Sequence, residues 1–551
     1  MSEQIEQPLQ YISKLFDEHL TNQSCTEFDP SSSFLPLLKD YKNQIISLNE
    51  VPVQQVPKNT LVRFRCMIQD TGLGQEMFIS AYEKLDPNGN SKLTCYRYTD
   101  DPIEAELNTM QNEHLNERSL VYCISPPGEN NWAKEAHNVN SDPLIDGINN
   151  LEIKAPNQIS AKKFPLPNRD HTCSIVKFYN DMAESVKVGQ LIEVIGIRGQ
   201  DMTQQQNDET ELDSALDLFS DIPVLHAIAF NNLNAINSYP SLGNVTHQTP
   251  QIRAQLIDYI SSVLCNDTLV AEFVLLQLLS RVTVKNRGLK IGNFTLNISG
   301  FPAHQTTEQD KKTPLLTLYN PASKAFSDVL DTLNVHTVQI PLTIDGLNNT
   351  KFTPKSINEN LEAGILQLVD GTVVLVDETV LEEGQLVDAG VRNFQALNDV
   401  ILNQTLTYEF PYSQYQFDTD LNVISLSTSK SMLPNHCSIH LSMNNSNENR
   451  VQPSNETLDT FRQFIHSAKY SSYDIPEQVS EYIQTRFVNE RKAATESKTE
   501  LPTQEELMLR MNLARLAAVS FGETSLSAER YDYVINLDKQ RRARMAEQSS
   551  N

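Results

Sequence analysis

Basic charge is scarce in this chain: lysine and arginine number 44 against 70 aspartates and glutamates, a net charge of −26. Such a surface repels a polyanion, so nonspecific DNA binding through phosphate neutralisation is disfavoured. It suits a solvated acidic face or a basic protein partner. Cysteine is sparse and scattered. Cys25, Cys66, Cys95, Cys123, Cys173, Cys265 and Cys437 form no CxxC pair and are odd in number, which points to a reducing compartment and away from zinc. No run reaches the roughly 18 apolar residues of a membrane span. The N-terminus, MSEQIEQPLQYISKLFDEHL, lacks the basic-then-apolar order of a signal peptide. Histidine spacing offers no zinc site, and no Ser-His-Asp arrangement can be built from spacing. The Asn-x-Ser/Thr triplets at Asn244 and Asn455 are read as chance. Tryptophan occurs once, at Trp132.

The apolar period changes along the chain. Residues 7–21 carry Leu9, Ile12, Leu15, Phe16 and Leu20 at helical spacing, a small capping or docking helix. From Pro57 the period becomes that of strands, at Leu61, Phe64, Cys66 and Ile68, then 77–79, 93–98 and 120–124, with turn signals at 86–90 and 126–128. Strand character returns at 172–179 and 189–197 after a polar insertion, 135–163. Five short alternating strands predict an OB-like barrel over 51–203. Arg63, Arg65, Tyr96, Arg97, Tyr98 and Trp132 are its candidates for stacking and pairing with a single strand. The acidic balance instead favours packing roles for them. Residues 204–222 are an acidic linker in which Leu212, Leu216, Leu218 and Phe219 leave two readings open, a connector or a short helix docking on a basic groove. After a strand-like 223–230, helices are expected at 252–263 and 268–282. Strands follow at 293–299, 337–344, 372–376 and 421–427, alternating with helices near 320–333 and 391–403. That alternation predicts a three-layer α/β unit over 223–445.

Thr372–Val376 is short, apolar and rich in β-branched residues, so it reads as a buried parallel strand. Asp377 and Glu378 end it, where an open α/β sheet places its ligand crevice. In a P-loop ATPase this position holds the acid that orients magnesium and a glutamate that polarises water. The matching phosphate cradle would lie at Asn293–Gly300 and the residues after it. Gly300 stands where the first glycine belongs, but Thr306 occupies the lysine position, with Gln305 before it and Thr307 after. Without that lysine the roughly four negative charges of a nucleotide triphosphate meet two carboxylates unneutralised. Weak or absent ATP binding is expected.

The segment EAGILQLVDGTVVLVDETVLEEGQL, residues 362–386, resembles the second acidic motif of the MCM replicative helicases. The chain as a whole is similar to a family of nuclear MCM-binding relatives, most specifically through ISLNEVPVQQVPKNTLVRFRCMIQD (46–70), Pro127-Gly-Glu-Asn-Asn-Trp132 and 362–389. The resemblance implies a multidomain α+β and α/β chain. After an N-terminal helical segment (1–50) and the OB-like barrel comes a degenerate AAA+-like α/β domain, then a helical C-terminal lid with a basic tail (446–545). On this alignment Thr428 takes the place of a sensor asparagine, and Asn435 that of the arginine acting on a neighbour's phosphate. The lid's arginine falls near Met508, with Arg510 two places away. Lys539–Arg544 reads as a nuclear import signal or a cationic helix end.

The expectation is therefore a pseudo-ATPase with no catalytic residues, metal or cofactor. Its vestigial nucleotide site comprises Gly300, Thr306, Thr307, Asp377, Glu378, Thr428 and Asn435. Its implied partners are MCM helicase subunits, and its implied role is regulating assembly, stability or unloading of the MCM complex in DNA replication and sister-chromatid cohesion. The expected compartment is the nucleus, with the cytoplasm as a second. The competing readings are an active AAA+ ATPase and an OB-fold single-stranded DNA-binding protein.

Overall fold

The computed structural model describes residues 2–22, 27–85, 91–101, 114–137, 158–200, 219, 222–233, 249–286, 289–304, 318–358, 360–442 and 452–549. The first half is a mixed sheet built from β1 (Ile46–Ser47), β2 (Leu61–Asp70), β3 (Gln75–Leu85), β4 (Ser91–Cys95), β5 (His114–Ile124), β6 (Cys173–Tyr179), β7 (Leu191–Arg198) and β8 (Val224–Asn232). The strands lie in the order β1-β2-β7-β8-β6-β5-β3-β4, and an added β2–β5 pairing closes β2, β7, β8, β6 and β5 into a ring. Within the ring only β6 and β8 run parallel. Closure needs β2 to change partners along its length, and the register shift between Ile68 and Asp70 sits where it meets β5.

Alternation sorts the side chains. Val62, Phe64, Cys66 and Ile68 of β2 share one buried cluster with Val121 and Cys123, Val176 and Phe178, Ile192 and Val194, and Leu225 and Ala227. Those are successive same-face positions on all five ring strands. The opposite faces are also covered, which is why β2 is buried at every residue. The Pro8–Thr21 helix packs Ile12 and Phe16 with Leu61, Tyr98 and Ile228, as a capping helix should.

Two expectations are corrected here. Val224–Asn232, expected to open the second unit, instead pairs with β6 and β7 of the first sheet. The ends of the supposed polar insertion are helices, Asn131–His137 and Gln158–Lys163, and Lys163 is buried with its Nζ 2.6 Å from Asp70 Oδ2. The candidate nucleic-acid groups are mostly internal, in keeping with the packing roles that the acidic balance favours: Arg63, Arg65, Arg97 and Tyr98 are buried. Of the acidic linker only Phe219 and Ile222 are described, and both are buried in the cluster between the two halves.

The second half is organised on a parallel sheet. After the small hairpin β9 (Val284–Asn286) and β10 (Leu289–Ile291) come β11 (Leu296–Ser299), β12 (Thr337–Pro341), β13 (Lys355–Ile357), β14 (Asn360–Glu362), β15 (Val373–Asp377), β16 (Thr405–Phe410), β17 (Ser413–Asp418), β18 (Asn422–Ser427) and β19 (Cys437–His440). The order β12-β15-β18-β11-β19 is parallel throughout. A smaller sheet, β14-β13-β16-β17, holds strands not foreseen from sequence.

One face of the parallel sheet, through Leu296, Ile298, Leu375, Ile424 and Leu426, packs on the Thr268–Leu278 and Pro321–Leu333 helices and on a C-terminal helical region. That region comprises the helices Asn455–Lys469, Glu477–Ser497, Gln504–Ser520 and Ala528–Ser549. The other face, through Val374, Val376 and Val423, packs on Leu397, Val400 and Ile401 of the Asp388–Asn403 helix, in a cluster that also takes in Met67, Tyr122 and Ile124 of the first sheet. The two halves thus share one apolar layer.

Candidate functional site: the carboxyl ends of the parallel strands

β15 delivers Asp377 and Glu378 to the carboxyl edge of the sheet, as its apolar run predicts. Asp377 is wholly buried. Its Oδ1 accepts from the Thr379 amide at 3.0 Å and the Thr379 hydroxyl at 2.5 Å, and its Oδ2 accepts from Gln339 Nε2 at 3.4 Å. The carboxylate therefore caps the turn Glu378–Val380 that follows it. Glu378 is turned the other way. It accepts from the Met432 amide at 2.9 Å and from the Ser431 hydroxyl, pinning the loop after β18. Burial pushes its carboxyl up, against the pull of those two donors.

The chain leaving β11 crosses the same edge. Gly300 has φ +86°, and a Cβ there would stand 2.4 Å from His440 Cε1, so the glycine makes room for that imidazole. Beyond it the Phe301 amide bonds to Ser427 O and the His304 amide to Thr379 O, each at 3.1 Å. Asn320 closes the crevice. Its Nδ2 donates to Pro302 O at 2.7 Å and to Thr379 Oγ1 at 3.0 Å, while its Oδ1 accepts from the Ala322 amide at 3.1 Å. The N-terminus of the Pro321–Leu333 helix, the natural anion site at such an edge, already has its own cap.

Thr306 and Thr307, with Gln305, lie outside the described residues. Thr428 is exposed just past β18. Asn435 points inward, donating from Nδ2 to Ser425 Oγ at 2.9 Å. Met508 is exposed, and Arg510 is paired with Glu490 Oε2 at 2.6 Å. The basic tail is helical, and its arginines are engaged: Arg541 with Asp538, Arg542 with Asp538 and Glu506, Arg544 with Asp267. Among the described residues no cluster of three or more His, Cys, Asp or Glu could hold a metal ion.

Asn320, Thr379 and His440 escaped the sequence reading. Asn320 had a signal, because asparagine followed directly by proline is a helix start. His440 had none, since its place depends on β19 lying beside β11.

A second constellation uses the segments on which the resemblance rests. The segment Pro127–Trp132 spans from the first sheet to the second. Gly128 O accepts from the Thr337 amide at 2.8 Å, and the Asn130 amide donates to Val335 O at 2.9 Å. Asn130 Nδ2 reaches Asn334 O at 2.6 Å and Trp132 Nε1 reaches Asp331 O at 2.9 Å. Arg462 lies 4.0 Å over the tryptophan ring. On the barrel side Arg65 pairs with Glu129, and Gln69 and Gln367 exchange bonds across the same seam.

The family described as Mini-chromosome maintenance replisome factor matches residues 34–155 and 149–545. The chain is 28% identical over 604 residues to the mini-chromosome maintenance complex-binding protein of Danio rerio, with 93% of this chain and 92% of the relative covered. It is 28% identical over 611 residues to that of Homo sapiens, with 91% of each covered. With that of Arabidopsis thaliana it is 27% identical over 595 residues, 95% and 96% covered. Matched over most of its length and folded around the segments that carried the resemblance, the chain belongs to the Mini-chromosome maintenance replisome factor family.

Proposed function

We propose that this chain binds the MCM complex without catalysis, regulating its assembly, stability or unloading in DNA replication and sister-chromatid cohesion, and that it acts in the nucleus with the cytoplasm as a second compartment. The name of the relatives supplies the partner. The observation that carries the non-catalytic reading is the state of the two carboxylates. Asp377 is used by Thr379 and Glu378 by Met432 and Ser431, so neither is left to orient a metal or a water.

An OB-like reading of the first half is supported by the ring β2-β7-β8-β6-β5 with its single parallel pair. A degenerate AAA+-like reading of the second is supported by the parallel order β12-β15-β18-β11-β19 and the helices after it. On this reading Gly300, Thr306, Thr307, Asp377, Glu378, Thr428 and Asn435 are vestiges of a nucleotide site. The units are 1–50, 51–203 joined by β8, the 204–222 linker, the α/β unit to 445, and a lid over 446–545.

Calorimetry of the purified chain with magnesium and millimolar ATP, run beside capture of purified MCM complex, tests both parts. Absence of binding heat with intact MCM capture is the expected result. Micromolar nucleotide binding overturns the pseudo-ATPase, and failure to capture the MCM complex overturns the partner.

A further inference from the structure

β17, at one end of the smaller sheet, is exposed along most of its length and pairs with β16 alone among the described strands. The two-residue loop Pro411–Tyr412 makes Phe410 and Ser413 a hydrogen-bonded closing pair. The same parity continues at the far end, where the Thr419 amide donates to Gln404 O at 2.8 Å. By alternation the N–H and C=O groups of Gln414, Gln416 and Asp418 face the open edge. The strand, Ser-Gln-Tyr-Gln-Phe-Asp, carries neither the lysine nor the proline that commonly guards an edge.

Its two faces differ. Tyr408 sits in the core and meets Phe417 at 4.5 Å between ring centroids, and Phe410 meets Tyr415 at 5.7 Å. This aromatic face runs outward until Tyr415 is 57% exposed and Tyr412, at the tip, fully so. A further strand would pair the free backbone groups and cover those rings.

We propose that β17 receives an extended segment of an MCM-complex protein by strand addition, an inference that rests on the binding reading above. The segment's alternate residues would be apolar, to lie on Tyr415 and Phe417. The residues between them would be polar or cationic, to face Gln414 and Gln416 on a chain of net charge −26.

The test is amide hydrogen exchange on the full chain, alone and with purified MCM complex, together with MCM affinity of two variants. Gln416→Pro removes an edge N–H that β16 does not use, and Tyr415→Thr leaves the backbone intact should the proline disturb folding. Expected results are slowed exchange at Gln414, Gln416 and Asp418 in the complex and affinity lowered about tenfold or more by either variant. Wild-type capture with unchanged edge exchange and undiminished variant affinity overturns the edge and leaves the binding reading standing. No wild-type capture removes both. Edge amides protected by the chain itself, either when dilute or only as its concentration rises, assign the edge to an internal segment or to a second copy and overturn the proposal.

Discussion

Arg65 and Glu129, 64 residues apart in sequence, meet in a buried two-point ion pair at the seam between the barrel and the parallel sheet. Arg65 Nη2 donates to Glu129 Oε2 at 2.9 Å and Nη1 meets Oε1, with the side chains 3% and 4% exposed. Gly128 and Asn130, on either side of the glutamate, hold the backbone around His336. One carboxylate thus anchors to β2 the loop whose backbone pairs with the segment that leads into β12.

Removing that carboxylate leaves a guanidinium buried at the seam. Glu129→Ala is expected to cost about 3–5 kcal/mol, and Arg65→Met together with Glu129→Leu much less, because the pair is then replaced by apolar volume. Urea unfolding of the three chains checks this. Trp132 is the sole tryptophan and sits at this seam, so its emission should shift to the red in Glu129→Ala before global unfolding.

Gly128 has φ +74°, and a Cβ on it would stand 2.6 Å from Val338 Cγ2. Gly128→Ala is expected to destabilise the fold through both conformation and overlap, by about 1–3 kcal/mol, read as a lowered melting temperature. Adding Val338→Ala should relieve the overlap only, so the double variant stays below a Val338→Ala control.

Asp377→Ala leaves the Thr379 amide and hydroxyl without their shared acceptor in a buried site, while Gln339 keeps Ser323 Oγ. A loss of about 1–3 kcal/mol is expected, smaller for Asp377→Asn, whose remaining oxygen can still accept from Thr379. A catalytic carboxylate would instead leave stability unchanged or raised and abolish nucleotide hydrolysis in both variants. Thermal melting and a phosphate-release assay on each chain distinguish the two.

Acid should destabilise this protein from near neutrality. Burial pushes His336 down to about 4, with Glu129 opposing and Arg65 adding to the shift. His226, buried between Tyr179 and Asp100, is also lowered by burial against the pull of Asp100. With both imidazoles shifted down, below about pH 6.5 the unfolded chain binds protons that the native chain refuses. Stability is full above that value and falls with pH until the folded pKa is reached. His336 alone should remove about 2 kcal/mol between pH 6.5 and pH 5. Urea midpoints across that range, flattened in part by His336→Gln, check the sign and the source.

Much of this architecture was legible in local pattern. The helix at Pro8–Thr21, the strands near 61–70, 120–124, 172–179 and 189–197, and the parallel strand ending in Asp377 all follow from apolar period, which depends only on neighbours in the chain. The missing lysine at Thr306 and the two acids at Asp377 and Glu378 were likewise visible as residue types. The partners of the arginines were not visible in the same way. Arg63, Arg65 and Arg97 look like groove residues in a list of charges, whereas in the structure Glu50, Glu129 and Glu27 take them up.

By itself the sequence determined the segments, their periods and the chemistry available at each position, because those are set within a few residues. The tertiary structure decided which distant groups those residues meet. Closure of the ring brought β8 to β6 and β7 rather than to the second half. Placing β19 beside β11 put His440 against Gly300, and the turn after β15 gave Asp377 to Thr379. Partner choice over separations of tens to hundreds of residues is a property of how layers pack and sheets close, and no local period records it.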